Sequence, residues 1–213
     1  MYNLILDGHY SIFLLIVVAL VVSLTFHEFG HAAMAKFYGD NTAEQQGRLT
    51  LNPIAHIDPM GLLMVVILGF GYAKPVPTNP RNYTSGWAQL WIAAAGPLMN
   101  LLIAFITVNI FMLAMQGQWA WAQGEGAQYF FIYLATINLI LMLFNLIPLG
   151  PLDGHYIAPY LLPAGLRRPY VLFNQRYGSM LFLGLIVLSI LGIPVFSYVW
   201  QLGQFLLPLL VIV

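Results

Sequence analysis

Apolar residues run almost unbroken from Tyr10 to Phe37, interrupted near the end of the run by His27, Glu28 and His31 in "SLTFHEFGHAAMAKF". A helix needs roughly 20 apolar residues to cross hydrocarbon, so this stretch predicts a first membrane span. "YGDNTAEQQGRLTLNPIAHIDP" is a polar connection, within which "GRLTL" alternates like a short strand. "MGLLMVVILGFGY" is apolar but only about 13 residues long, too short to span, and is expected to re-enter or to lie against the protein. A proline-punctuated loop, "AKPVPTNPRNYTSG", leads to the second full span, "WAQLWIAAAGPLMNLLIAFITVNIFMLAM". After a polar turn with interfacial tryptophans, "QGQWAWAQGEGAQ", comes a third span, "YFFIYLATINLILMLFNLIPLGPLDGHYIAPYLL", broken near its end by proline and glycine. "PAGLRRPYVLFNQRYG" reads as a basic loop, and "SMLFLGLIVLSILG" as the start of a fourth span. "IPVFSYVWQLGQFLLPLLVIV" is a fifth span or an interfacial helix. The expected fold is an all-α polytopic membrane protein of about four to five transmembrane helices, with a short strand-like or re-entrant segment after the first span. It forms one membrane-embedded domain over residues 1–213, with a core at about 10–162 and C-terminal spans at about 177–213.

Composition supports lipid as the main solvent. Only 7% of the residues are charged and 61% are hydrophobic, with a mean hydropathy of +0.83, whereas a soluble domain carries roughly 25% charged residues. The N-terminus lacks a basic region, and its apolar run is too long for a secretory signal, so it is expected to stay as a span. Net charge is zero and there is no basic block, which gives nucleic acid no footprint. Without cysteine, thiolate metal sites are excluded, and a metal would need His, Asp and Glu. If the short apolar segment does not cross, Lys36, Arg48, Lys74, Arg81, Arg167, Arg168 and Arg176 share one face, with Asp7 and Glu125 opposite. The positive-inside rule makes that face cytoplasmic, and the expected location is the cell membrane.

"HEFGH" carries the chemistry. Residues i and i+4 of a helix share a face, so His27 and His31 can aim two imidazoles at one metal ion, with Glu28 beside them as a proton acceptor. Nine residues separate His27 from Lys36, about 13 Å along a helix, so the group lies within hydrocarbon. Ionisable side chains there are functional by default, although interhelical hydrogen bonding is the bland alternative. A hydrolytic zinc site needs a third protein ligand and an open position. Asp153, in "NLIPLGPLDGHYI", ends a span running towards the same face; a helix cap is the bland alternative. His56 and His155 are lesser candidates, and His9 lies on the opposite side.

The pairing of "HEFGH" with "NLIPLGPLDGH" resembles the site-2 protease family of intramembrane zinc metalloproteases. Asn145, Pro148, Pro151, Leu152, Asp153 and Gly154 fit its second signature, N-x-x-P-x-x-P-L-D-G, and "AAGPLMN" is similar to its middle core helix. "GRLTLNPIAHIDPMG" and "GYAKPVPTNPRN" are similar to loops of its compact branch, which lacks appended soluble domains. The resemblance implies one zinc per chain held by His27, His31 and Asp153. It makes Glu28 the general base and gives Asn145 a role in orienting the substrate strand or the oxyanion. The implied partner is a membrane protein cleaved within or near a transmembrane segment, in the lipid bilayer. "LDGH" departs from the family, where a second glycine is common. A membrane metal-ion transporter with a His/Asp/Glu site is the alternative, but the external halves of the spans offer almost no polar relay.

Overall fold

The computed structural model describes residues 2–68, 71–194 and 196–213. A short helix α1 (Tyr2–Leu6) precedes α2 (Tyr10–Phe37), whose ends coincide with the predicted first span. After it come α3 (Thr42–Gln45), α4 (Pro59–Leu68), α5 (Ala88–Gln116) and α6 (Glu125–Asn145). The chain finishes with α7 (Gly154–Leu161), α8 (Ala164–Phe173), α9 (Ser179–Ile190) and α10 (Ser197–Leu206). Among the described residues, four helical stretches are long and apolar enough to cross a membrane: α2, α5, α6 and the run Ala164–Ile190. The fold is an all-α polytopic membrane protein.

The core is the α2–α5–α6 bundle, and small residues make it possible. Ala19, Ala32, Ala35, Ala88, Ala104, Ala114 and Ala135 have no exposed surface, and a Cβ on Gly30 would press on the Ala95 carbonyl. In lipid, helices gain from close backbone approach because there is little hydrophobic drive between them. The large side chains point outward instead, as in the stripe Leu98, Leu102, Ile106, Ile110 and Leu113 along α5. Phe182 of α9 and Phe196, at the N-cap of α10, pack on Phe144 of α6.

The chain departs from the sequence reading in two places. "GRLTL" forms turns and bends, and among the described residues the one β-bridge pairs Ile57 with Ala73. The alternation misleads because Arg48 turns inward, only 5% exposed. Its guanidinium donates to the Lys74 and Pro75 carbonyls, so the charge counted with the basic face is buried. The expected loop at 163–178 is helical: α8 passes through a π-helical turn, Asn174–Gly178, directly into α9. Pro163 stands at the N-cap of α8, so its missing N–H costs the helix nothing.

Helix α4 has 10 residues, about 15 Å at the helical rise and half of a hydrocarbon core. A Cβ on Gly61 would overlap the Tyr72 carbonyl, so the chain returns beside the start of the helix it has just left. The short apolar segment thus folds back on its own start instead of running a full span's length. Gly69 and Phe70, part of the predicted apolar stretch, lie outside the described residues. The third span breaks where expected: α6 stops at Asn145, and a turn over 146–153 joins it to α7.

Candidate metal centre

His27 and His31, one turn apart on α2, are buried at its interface with α5. Asp153 stands at the N-cap position of α7 but makes no capping hydrogen bond. Its carboxylate turns into the bundle, with Oδ2 3.2 Å from His27 Nε2 and Oδ1 3.4 Å from His31 Nε2. The two Nε2 atoms are 3.0 Å apart. Among the described residues these three form a group able to hold a metal ion.

The separations fit one particular occupant. A tetrahedral ion with bonds of about 2.0–2.1 Å holds its ligand atoms about 3.3 Å apart, close to all three distances. The outer ring nitrogens strengthen the fit. His31 Nδ1 lies 2.7 Å from the Ile92 carbonyl oxygen, which can only accept, so Nδ1 carries the proton and Nε2 offers a lone pair. His27 Nδ1 lies 2.6 Å from Asn100 Oδ1, again an acceptor. Two lone pairs and a carboxylate therefore converge, and Asp153 Oδ2 makes no hydrogen bond. Such a cluster of acceptors requires a cation, and an N₂O donor set without thiolate suits zinc.

Local sequence explains the convergence. A Cβ on Gly96 would fall 2.6 Å from His31 Cε1 and 2.7 Å from His27 Cε1, so only glycine leaves room for both rings. The turn carrying Asp153 is tied to the helices that follow. Gly150 N–H donates to Asn174 Oδ1 at 2.8 Å, and the Pro148 carbonyl accepts from Tyr170 Oη at 2.9 Å and from Asn174 Nδ2 at 3.3 Å.

Among the described residues, the remaining sequence candidates are not members of this three-residue group. Glu28 is buried, and its Oε2 accepts from Val76 N–H at 3.2 Å. The Val76 segment is braced by Arg48, whose pKa burial pushes down against the opposing pull of the Glu28 charge. Asn145 Nδ2 donates to the Leu141 carbonyl of its own helix at 3.0 Å. His56 is fully enclosed, its Nε2 2.8 Å from the Thr50 carbonyl, and its own carbonyl accepts from Lys74 N–H at 2.8 Å. His155 lines a cleft of about 360 Å³ with Gln89, Tyr156 and Arg167, where burial lowers its pKa. His9 is exposed at the far end of α2. Sequence reasoning touched Asn100 only as part of "AAGPLMN" and gave it no role, and it missed Asn138 and Asn174. For Asn100 and Asn138 a signal existed: asparagines in the middle of apolar runs.

Comparison with known proteins gives the chain a family. The model of peptidase family M50 matches residues 15–120 and 110–189. "Putative zinc metalloprotease YwhC" of Bacillus subtilis is 41% identical over 189 residues, covering 86% of this chain and 83% of that protein. "Putative zinc metalloprotease Rip2" of Mycobacterium tuberculosis is 31% identical over 164 residues, covering 72% of this chain and 60% of its own length. The Mycolicibacterium smegmatis protein of the same name is 28% identical over 163 residues, 73% of this chain and 61% of its own. The chain thus spans about three fifths of the mycobacterial relatives. No solved structure matches.

Proposed function

The chain belongs to the site-2 protease family, peptidase family M50, and from this premise and the convergence of His27, His31 and Asp153 we propose that it is an intramembrane zinc metalloprotease, hydrolysing a peptide bond within or near a transmembrane segment of a membrane-protein substrate. The observation that carries the reading is the pair of Nε2 lone pairs facing one carboxylate inside a membrane span. Bound there, zinc would acidify a water molecule and polarise the scissile carbonyl.

The chain's own residues do the rest. Glu28, adjacent to His27 and buried, accepts the proton of the attacking water and returns it to the leaving amine. Val76 N–H holds one of its oxygens, which fixes the carboxylate and leaves Oε1 for proton transfer. Asn145 Nδ2 commits one hydrogen to Leu141 and keeps a second, which orients the substrate strand or the developing oxyanion. Substrate helices must unwind locally, because an intact helix hides its carbonyls. The site opens towards the cytoplasmic face of the cell membrane. Exposed Lys36, Lys74, Arg81, Arg167, Arg168 and Arg176 support that orientation.

The test is Glu28→Gln in reconstituted vesicles holding a transmembrane substrate. The variant is expected to fold and keep its zinc while losing about 10²–10⁴ in cleavage rate. Near-wild-type cleavage by the zinc-loaded variant would remove Glu28 from the mechanism. A transporter would instead show altered metal flux in the same vesicles, with no peptide cut.

A further inference from the structure

Inside hydrocarbon a polar side chain must find its partners within the protein. Asn100 on α5 and Asn138 on α6 are both fully buried, and they meet each other. We propose that Asn100 and Asn138 are positioning residues of the metal centre, forming a hydrogen-bond chain that fixes His27 in its Nδ1–H tautomer and keeps its Nε2 lone pair directed at the ion. The proposal rests on the zinc reading above and adds to it residues outside the ligand set.

The direction of every bond in the chain is determined. Asn138 Nδ2 lies 2.8 Å from the Leu134 carbonyl, which can only accept, so that atom is the amide nitrogen and its neighbour the oxygen. Asn138 Oδ1 then accepts from Asn100 Nδ2 at 2.8 Å. Asn100 Nδ2 gives its other hydrogen to the Ser23 carbonyl at 3.1 Å. With its nitrogen spent twice, Asn100 presents only Oδ1 to His27 Nδ1, 2.6 Å away, and the imidazole must donate. The second hydrogen of Asn138 Nδ2 goes to Ser23 Oγ at 2.8 Å, and Ser23 Oγ donates to the Ala19 carbonyl at 2.7 Å.

No member of this chain can flip without setting two acceptors against each other in a buried site. The opposite tautomer of His27 would set its Nδ1 lone pair against Asn100 Oδ1 and thrust an N–H between His31 Nε2 and Asp153. The two ligand histidines thus differ in kind. His31 takes its tautomer from a backbone carbonyl, which no side-chain substitution removes, whereas His27 takes it from side chains on two other helices. Outer partners of ligand histidines typically change metal affinity 10–100-fold when lost.

Two variants test the proposal, with the full chain in detergent. Asn100→Leu removes the acceptor; Asn138→Leu leaves Asn100 tethered by the Ser23 carbonyl alone. Side-chain ¹⁵N spectra of histidine-labelled, zinc-free protein read the tautomer, with His27 assigned against His27→Ala. Competition with a chromophoric chelator reads zinc affinity. Wild type should show His27 Nδ1 protonated throughout. Asn100→Leu should show a tautomer mixture and about 10–100-fold weaker zinc binding, and Asn138→Leu the same changes, smaller, at about tenfold or less. A folded Asn100→Leu protein with His27 still wholly Nδ1–H, or with zinc affinity within about twofold of wild type, overturns the proposal. If Asn100→Leu does not fold, unchanged tautomer and affinity in Asn138→Leu overturn it as well. Because the tautomer is read without metal or substrate, wild-type protein that binds no zinc would refute the metalloprotease reading separately.

Discussion

Replacing Gly96 with alanine adds one methyl group to α5 where the imidazoles of His27 and His31 lie against it. The new Cβ would sit 2.6 Å from His31 Cε1 and 2.7 Å from His27 Cε1, and closer still to His31 Nε2. Ordinary carbon contacts are about 3.5–4.0 Å, so the rings or the helix must give by roughly 1 Å. A metal site holds its ligand distances within about 0.2 Å, and a shift of that size displaces at least one nitrogen from bonding reach. We expect zinc affinity to fall by about 100-fold or more, equivalent to about 2.8 kcal/mol at 1.4 kcal/mol per decade. Helix propensity runs the other way, since alanine is better than glycine in a helix interior by about 1 kcal/mol. The variant should therefore keep its helical content. Gly165→Ala, where a Cβ meets nothing within 4 Å, is the matched control and should bind zinc as wild type does. The assay is chelator competition for zinc alongside a circular-dichroism melt. Zinc affinity of Gly96→Ala within about twofold of wild type would refute the placement of both rings against α5.

Two further outcomes follow from features away from the metal. Asp40 is fully buried and accepts from Thr42 N–H and Oγ1, Asn79 N–H and Asn82 Nδ2. Burial works to raise its pKa, but these donors outweigh it and hold the carboxyl below its ordinary value. Its contribution is thus present above the usual carboxylate range and lost as pH falls through the lowered value. Asp40→Asn should cost about 2–3 kcal/mol at neutral pH and melt with a flatter acid dependence than wild type; equal melting at pH 7 would discard the clamp. Because the chain has no cysteine, Arg81→Cys and Glu125→Cys can be probed in intact cells with a membrane-impermeant thiol reagent. Labelling is expected at 125 and not at 81, and the reverse pattern would overturn the assigned orientation.

The spans were legible because hydrocarbon demands long apolar runs, and α2 begins and ends where the hydropathy does. The two histidines were legible because i, i+4 spacing is local. Asp153 was reached through a motif, but what holds it is not local: Asn174 and Tyr170 are more than fifteen residues further along the chain. "GRLTL" misled because alternation reports which faces differ and not whether a partner strand exists. The stretch at 163–178 misled for a different reason. Its prolines and arginines resemble a loop, while Pro163 in fact starts a helix. Asn100 and Asn138 were visible as polar residues in two spans, but only the packed bundle shows that they bond each other and His27.

The ties from Tyr170 and Asn174 to the Pro148–Gly150 turn bear on how small a working unit can be made. All three residues of the proposed metal site lie before α8, so a truncation ending near Leu161 would look complete by motif. Such a fragment would lack Tyr170 and Asn174, leaving Pro148 O and Gly150 N–H without their partners and the Asp153 turn free to drift. The helices with the least distinctive sequence are therefore part of the minimal unit, and the ligand set cannot be transplanted as the first three spans alone.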